Sequence, residues 1–178
     1  MEKLAQYSTD EWEKIATIPQ LIGSIMAGAG SSGLIGTGKE MLATVESFLD
    51  GRKSYKDNPV INAIVPDAET DTSSEAIESA KAQRARLMHK INSYQIKTPE
   101  ELADAVLMEC TEVISILEAK ETPNVVKEYK HWLLEIADHV ANAAKEGGFL
   151  GFGGVRFSEK EQIMYDKLQA ALDTEPNI

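Results

Sequence analysis

Cysteine is almost missing from this 178-residue chain, in which Cys110 stands alone. One thiol makes no internal disulfide and falls short of the cysteine clusters that hold structural zinc. It suits a reducing compartment, so a cytoplasmic location is expected. Basic charge is also scarce. Lys and Arg total 18 against 29 Asp and Glu, a formal net charge of −11. That surplus repels nucleic acids and anionic lipid headgroups, and neither is an expected partner. Its plainest reading is solubility. Sustained alternation of polar and β-branched apolar residues is lacking, so no sheet is expected. Long greasy runs are lacking too. The uncharged stretch from Ile15 to Gly38 is long enough to span a bilayer, but it holds Pro19 and six glycines. With so little apolar bulk, no membrane span is expected. The opening Met-Glu-Lys-Leu-Ala-Gln carries no signal-peptide pattern.

What remains is helical and globular. Hydrophobic residues make up 43% and charged residues 26%, enough for one core in one domain, 1–178. Four helix starts carry a hydroxyl followed three residues later by Glu: Ser8/Glu11, Thr37/Glu40, Thr98/Glu101 and Ser158/Glu161. Each pair can form a capping box. Pro99 and Pro123 sit at first-turn positions, where a missing N–H is harmless. These signals predict about six helices, near 9–28, 38–54, 73–93, 99–119, 123–146 and 159–172, with a short turn near 59–65. The polar, acidic segment 66–74 reads as a loop. Val126, Tyr129, Leu133, Ile136, Val140 and Ala144 share one face of the fifth helix. Leu102, Val106, Cys110, Val113 and Leu117 do the same in the fourth, which makes Cys110 a small buried apolar residue. The fold class is therefore an all-α compact helical bundle.

Eleven of the twelve glycines lie in two short stretches, Gly23 to Gly38 and Gly147 to Gly154. Offset by 121 residues, Ile15, Ala16, Gly30, Gly33 and Glu40 fall on Ile136, Ala137, Gly151, Gly154 and Glu161. This predicts two pseudo-repeated units of helix, glycine-rich turn and capped helix, about 9–54 and 123–173. The glycines have two readings. One is structural, a tight exit from one helix into the next. The other is an anion site at a helix N-terminus, which the capping carboxylates of Glu40 and Glu161 oppose.

Other motifs compete for a chemical role. Gly33-Leu-Ile-Gly-Thr-Gly38-Lys39-Glu40 nearly spells a phosphate-binding loop. Its last residue is Glu where magnesium needs a hydroxyl, and a helix end precedes it instead of a strand. His131, Glu135 and His139 form an i, i+4, i+8 ridge opposite the apolar face of their helix, so they are expected in solvent. Arg84 and Glu109 each break an apolar stripe. An antiparallel hairpin would pair them as a partly buried salt bridge, since either charge buried alone would be costly. That pair would fix helix register or floor a ligand pocket together with Gly30, Gly33, Gly151 and Gly154. Phe149 and Phe152, in a glycine loop, would plug the bundle or form a contact patch.

The stretch Trp132 to Val155, with Ser158-Glu-Lys-Glu161 after it, resembles a signature of small bacterial all-α proteins with a C-terminal glycine loop, here Glu146-Gly-Gly-Phe-Leu-Gly-Phe-Gly-Gly154. The resemblance covers the two ends of the chain and implies a fold without chemistry. The rhythm of helix, glycine turn and Ser-x-x-Glu is also similar to that of TerB-like tellurite-resistance helical domains. Those carry acidic residues in the turn, which this chain lacks, so their metal role is not implied.

The leading functional expectation is a non-enzymatic helical protein acting through a protein partner or through self-association, without cofactor or metal. The alternatives are a small-ligand pocket near Arg84, Glu109 and the glycine turns, and a helical metal enzyme using Glu109, Glu112, His131, Glu135 and His139.

Overall fold

A computed structural model of the chain describes residues 4–29, 48, 50–65, 85–96, 98–145 and 157–173. All regular structure among these residues is helical: the protein is an all-α bundle. In chain order the elements are α1 (Thr9–Ala29), α2 (described at residues 48 and 50–54), α3 (Pro59–Ile64), α4 (described at residues 85–93), α5 (Pro99–Lys120), α6 (Pro123–Lys145) and α7 (Glu159–Ala171). Helix α1 packs on α5 and α6, α7 touches all three, and α3 rests on α6. No described helix is long and apolar enough to cross a membrane.

Three of the four predicted caps are among the described residues and act where the spacing places them, and Thr37/Glu40 lies outside the described residues. Ser8 N–H donates to Glu11 at 2.7 Å while Glu11 N–H donates to Ser8 Oγ at 3.1 Å. Ser158 and Glu161 repeat the exchange at 2.7 and 3.3 Å. This satisfies two orphan N–H groups at each start and explains why the Glu161 carboxylate tolerates burial. At α5, Thr98 Oγ1 accepts from Glu101 N–H at 3.2 Å. The short turn expected near 59–65 is α3, capped by Asn58, whose side chain accepts from Val60 and Ile61 N–H. The same Asn58 donates to the Val125 carbonyl and to Glu128, both at 3.0 Å, which ties α3 to the start of α6. Arg52 reaches from α2 to the carbonyls of Asn62 (3.1 Å) and Val65 (2.9 Å) at the other end of α3.

Both predicted apolar stripes are core. Leu102, Val106, Cys110, Val113 and Leu117 are buried on α5. Val126, Tyr129, Leu133, Ile136 and Val140 are buried on α6, and the side chain of Ala144 lies outside the described residues. The core is closed by a helix containing a proline. Pro19 lies inside α1, so it cannot donate the N–H that the carbonyl of Ile15 would receive in an unbroken helix. Ile15 is fully buried, and its carbonyl finds its donor on another helix: the Tyr129 hydroxyl of α6 donates to it at 2.7 Å. A second close fit joins α2 to α6. Gly51 lies so near the Trp132 indole that a β-carbon there would stand 2.1 Å from Nε1.

Gly23 and Gly28 lie within α1, while the rest of the first glycine stretch, 30–38, and all of the second, 147–154, lie outside the described residues. Of the matched repeat residues, Ile15, Ala16, Ile136 and Ala137 are all buried core.

Tyr129→Phe should lower unfolding free energy by about 1–3 kcal/mol, the cost of an orphaned buried carbonyl. In a Pro19→Ala background, residue 19 supplies an N–H, so the same change should cost clearly less. Urea unfolding of the two single variants and the double variant measures this coupling, and strict additivity would refute the account. Gly51→Ala should destabilise by about 1–3 kcal/mol through overpacking on Trp132, read as a lowered denaturation midpoint.

Candidate functional site

Glu109 is the sequence-predicted site residue that the structure describes. It is 6% exposed on α5. The Tyr94 hydroxyl, just past α4, donates to its Oε2. Lys90 Nζ lies 3.0 Å from Oε1, an ion pair outside hydrogen-bond geometry. Lys90 also sits 5.3 Å from the Tyr94 ring centre, so cation, ring and carboxylate form one cluster. The predicted partner Arg84 lies outside the described residues, as do Gly30, Gly33, Gly151, Gly154, Phe149 and Phe152. Sequence reasoning missed Lys90 and Tyr94. The signal available was their four-residue spacing across the end of α4.

The candidate metal residues do not converge. His131, Glu135 and His139 are exposed along α6, and Glu135 accepts from the Tyr55 hydroxyl at 2.8 Å. Glu112 is paired with Lys14 of α1 at 2.6 Å. Among the described residues no three His, Cys, Asp or Glu side chains lie close enough to hold a metal ion. Cys110 is fully buried, and burial, then the nearby Glu109 charge, pushes its thiol up to about 12. It is a packing residue in the thiol form at neutral pH.

Buried or half-buried phenols bonded to carboxylates recur across the bundle. Tyr7 donates to Glu121 at 2.5 Å, Tyr55 to Glu135 and Tyr94 to Glu109. In all three, burial raises the phenol above its usual range, and the carboxylate raises it further. Tyr129 is raised by burial before all else. Around Tyr7, Lys120 is 5.4 Å from the ring centre and bonds both Glu11 oxygens, at 2.7 and 2.6 Å. These clusters clamp the N-terminal segment and the hairpins.

Among the described residues the large apolar side chains left exposed are Met88 on α4, Met108 on α5 and Ile163 on α7. Glu101, Asp104, Met108, Thr111 and Ser115 are exposed at intervals of three and four residues, which places them on one ridge with Glu112 beside it. Met108 is 70% exposed at its centre. Helix α7 flanks the ridge, with Thr111 Oγ1 at 3.4 Å from the Ala171 carbonyl and Lys167 Nζ at 3.9 Å from Asp104. These contacts advance together in number, so α5 and α7 run in the same direction. Ile163, 51% exposed, stands one turn before Lys167 on α7. Met108 stands one turn after Asp104 on α5. The Glu112–Lys14 pair ties the other flank to α1.

The chain matches no family model, no curated protein and no solved structure.

A folded phenol kept neutral by its surroundings contributes stability below the unfolded phenol value of about 10 and loses it as pH rises above that value. Four of the five tyrosines are in this class. Alkaline titration followed by near-ultraviolet absorbance should show these four ionising together with loss of helical circular dichroism. Their independent titration near pH 10 in the folded protein would contradict the bonding described.

Proposed function

We propose that the protein is a non-enzymatic helical module that acts by protein–protein contact. The observation carrying this reading is Met108, a large flexible apolar side chain 70% exposed midway along a helix whose opposite face is core. Methionine suits adaptable contact surfaces because it is unbranched and polarisable. Ile163 on the adjacent helix α7 is a second exposed apolar side chain. Phe149 and Phe152 lie in the segment joining α6 to α7 and are proposed to supplement it. Three of the five candidate metal-enzyme residues are engaged elsewhere: Glu109 with Lys90 and Tyr94, Glu112 with Lys14, Glu135 with Tyr55. A cytoplasmic setting fits the single thiol.

The test compares the full chain with a Met108→Lys/Ile163→Lys variant and a Phe149→Ser/Phe152→Ser variant. Sedimentation velocity over a wide concentration range reads self-association, and quantitative affinity capture from the source cells reads partners. The expected result is an association, homotypic or with a recurrent partner, that the wild type makes and at least one variant loses. A monomer at all concentrations, with identical captured proteins for all three chains, would overturn the proposal.

A further inference from the structure

We infer that residues 85–94 of α4 and its end form a flap, hinged at Gln95 and latched on Glu109, which opens as a unit while the rest of the bundle stays folded. Burial separates this segment from every other helix. None of its residues is buried: Leu87, Lys90, Ile91 and Tyr94 are half-buried and the others are exposed. Each of the other helices places at least one buried side chain in the core. Even the six-residue α3 buries Val60, Ile61 and Ile64. The flap touches that core only through the half-buried Leu87, Ile91 and Tyr94. A segment that buries so little apolar surface opens at a lower free energy than the layer beneath it.

Among the described residues, the polar ties from 85–94 to other helices both end on Glu109. The Tyr94 hydroxyl donates to Oε2, and Lys90 Nζ stands 3.0 Å from Oε1. The second tie is ionic only, because the buried Oε1 accepts no hydrogen bond. A buried pair without that geometry recovers little of its desolvation cost. Glu109 belongs to α5, next to Cys110 and between Val106 and Val113 of the buried stripe. It therefore stays with the bundle when the phenol and the cation leave. At the other end of the flap Gln95 has a φ of 54°. This is the left-handed region, which glycine adopts freely and a residue with a side chain does not. Weak burial and a strained hinge favour opening, and one carboxylate opposes it. Opening brings Glu109 to water and frees Leu87 and Ile91 from the core.

Native-state amide hydrogen exchange of the full chain, read residue by residue by NMR at low urea concentrations, tests this. The amides of residues 89–94 should share one protection factor and one urea slope, both smaller than those of the slowest amides in α5 and α6. Two variants separate the flap from the bundle. Tyr94→Phe removes the hydrogen bond of the latch and should lower protection of 89–94 by a common factor of about ten or more. Tyr129→Phe loosens α6 against α1, a contact that stays closed when the flap opens. It should lower protection of the slowest α5 and α6 amides and leave 89–94 unchanged. Gln95→Gly relieves the hinge and should raise protection of 89–94 by about threefold.

If Tyr129→Phe lowered protection of 89–94 as much as that of the core, the segment would open only with the whole bundle, and the inference would fall. Protection scattered from residue to residue and insensitive to Tyr94→Phe would mean fraying without a latch, which also overturns it. Lower protection of 89–94 in Gln95→Gly would remove the hinge. None of these results bears on the protein-contact reading, which has its own variants.

Discussion

The bundle depends on how it accommodates a proline in its most buried helix. Pro19 leaves a carbonyl without its ordinary donor in the middle of the core, at Ile15. Water does not reach that oxygen, so the donor must come from another element. Tyr129 supplies it at 2.7 Å, and in doing so fixes the axial position of α6 against α1. Apolar packing alone would allow these helices to slide with modest loss, since hydrophobic contact has no direction. A single buried hydrogen bond between a defined hydroxyl and a defined carbonyl removes that freedom.

Outward from this bond, polar ties hold the ends of the elements. Asn58 caps α3 and holds it on α6, while Arg52 holds its other end. Tyr7, Lys120, Glu11 and Glu121 pin the segment before α1 to the α5–α6 turn. Lys90, Tyr94 and Glu109 do the same for the α4–α5 connection. Tyr7, Tyr55, Tyr94 and Tyr129 share a design: a ring packed on the core or under a cation, with the hydroxyl turned to an acceptor. The chain thus uses its few aromatics as hinges between layers as well as core volume.

Much of the fold was legible in the residues, because capping and periodicity are local. Ser8/Glu11 and Ser158/Glu161 announce helix starts by chemistry that needs no distant partner. The α5 and α6 stripes follow from 3.6-residue spacing, and the ends of α1, α5, α6 and α7 fall within a residue of those read from it. The site was much less legible. Glu109 was visible as a charge on an apolar stripe, but its described partners lie on another element, and hairpin register cannot be counted accurately through an irregular connection. The Tyr129 bond escaped for a related reason. Pro19 was noticed as a poor membrane residue, but the carbonyl it orphans has no signature of its own. Met108 was missed because one exposed methionine breaks no pattern in sequence; its meaning comes from its exposure and the neighbouring α7.

The contact between Gly51 and Trp132 also gives the molecule a built-in optical reporter. Its two tryptophans are both buried, Trp12 at 7% exposure and Trp132 at 0%, but their surroundings differ. Trp132 meets Phe48, Tyr129 and the bare backbone of Gly51, and its indole Nε1 has no hydrogen-bond partner among the described residues. Such an indole emits far to the blue, and separation of α2 from α6 would admit water to its N–H and move the emission red. The fluorescence of this one side chain therefore follows the seating of the second helix separately from the integrity of the rest of the bundle.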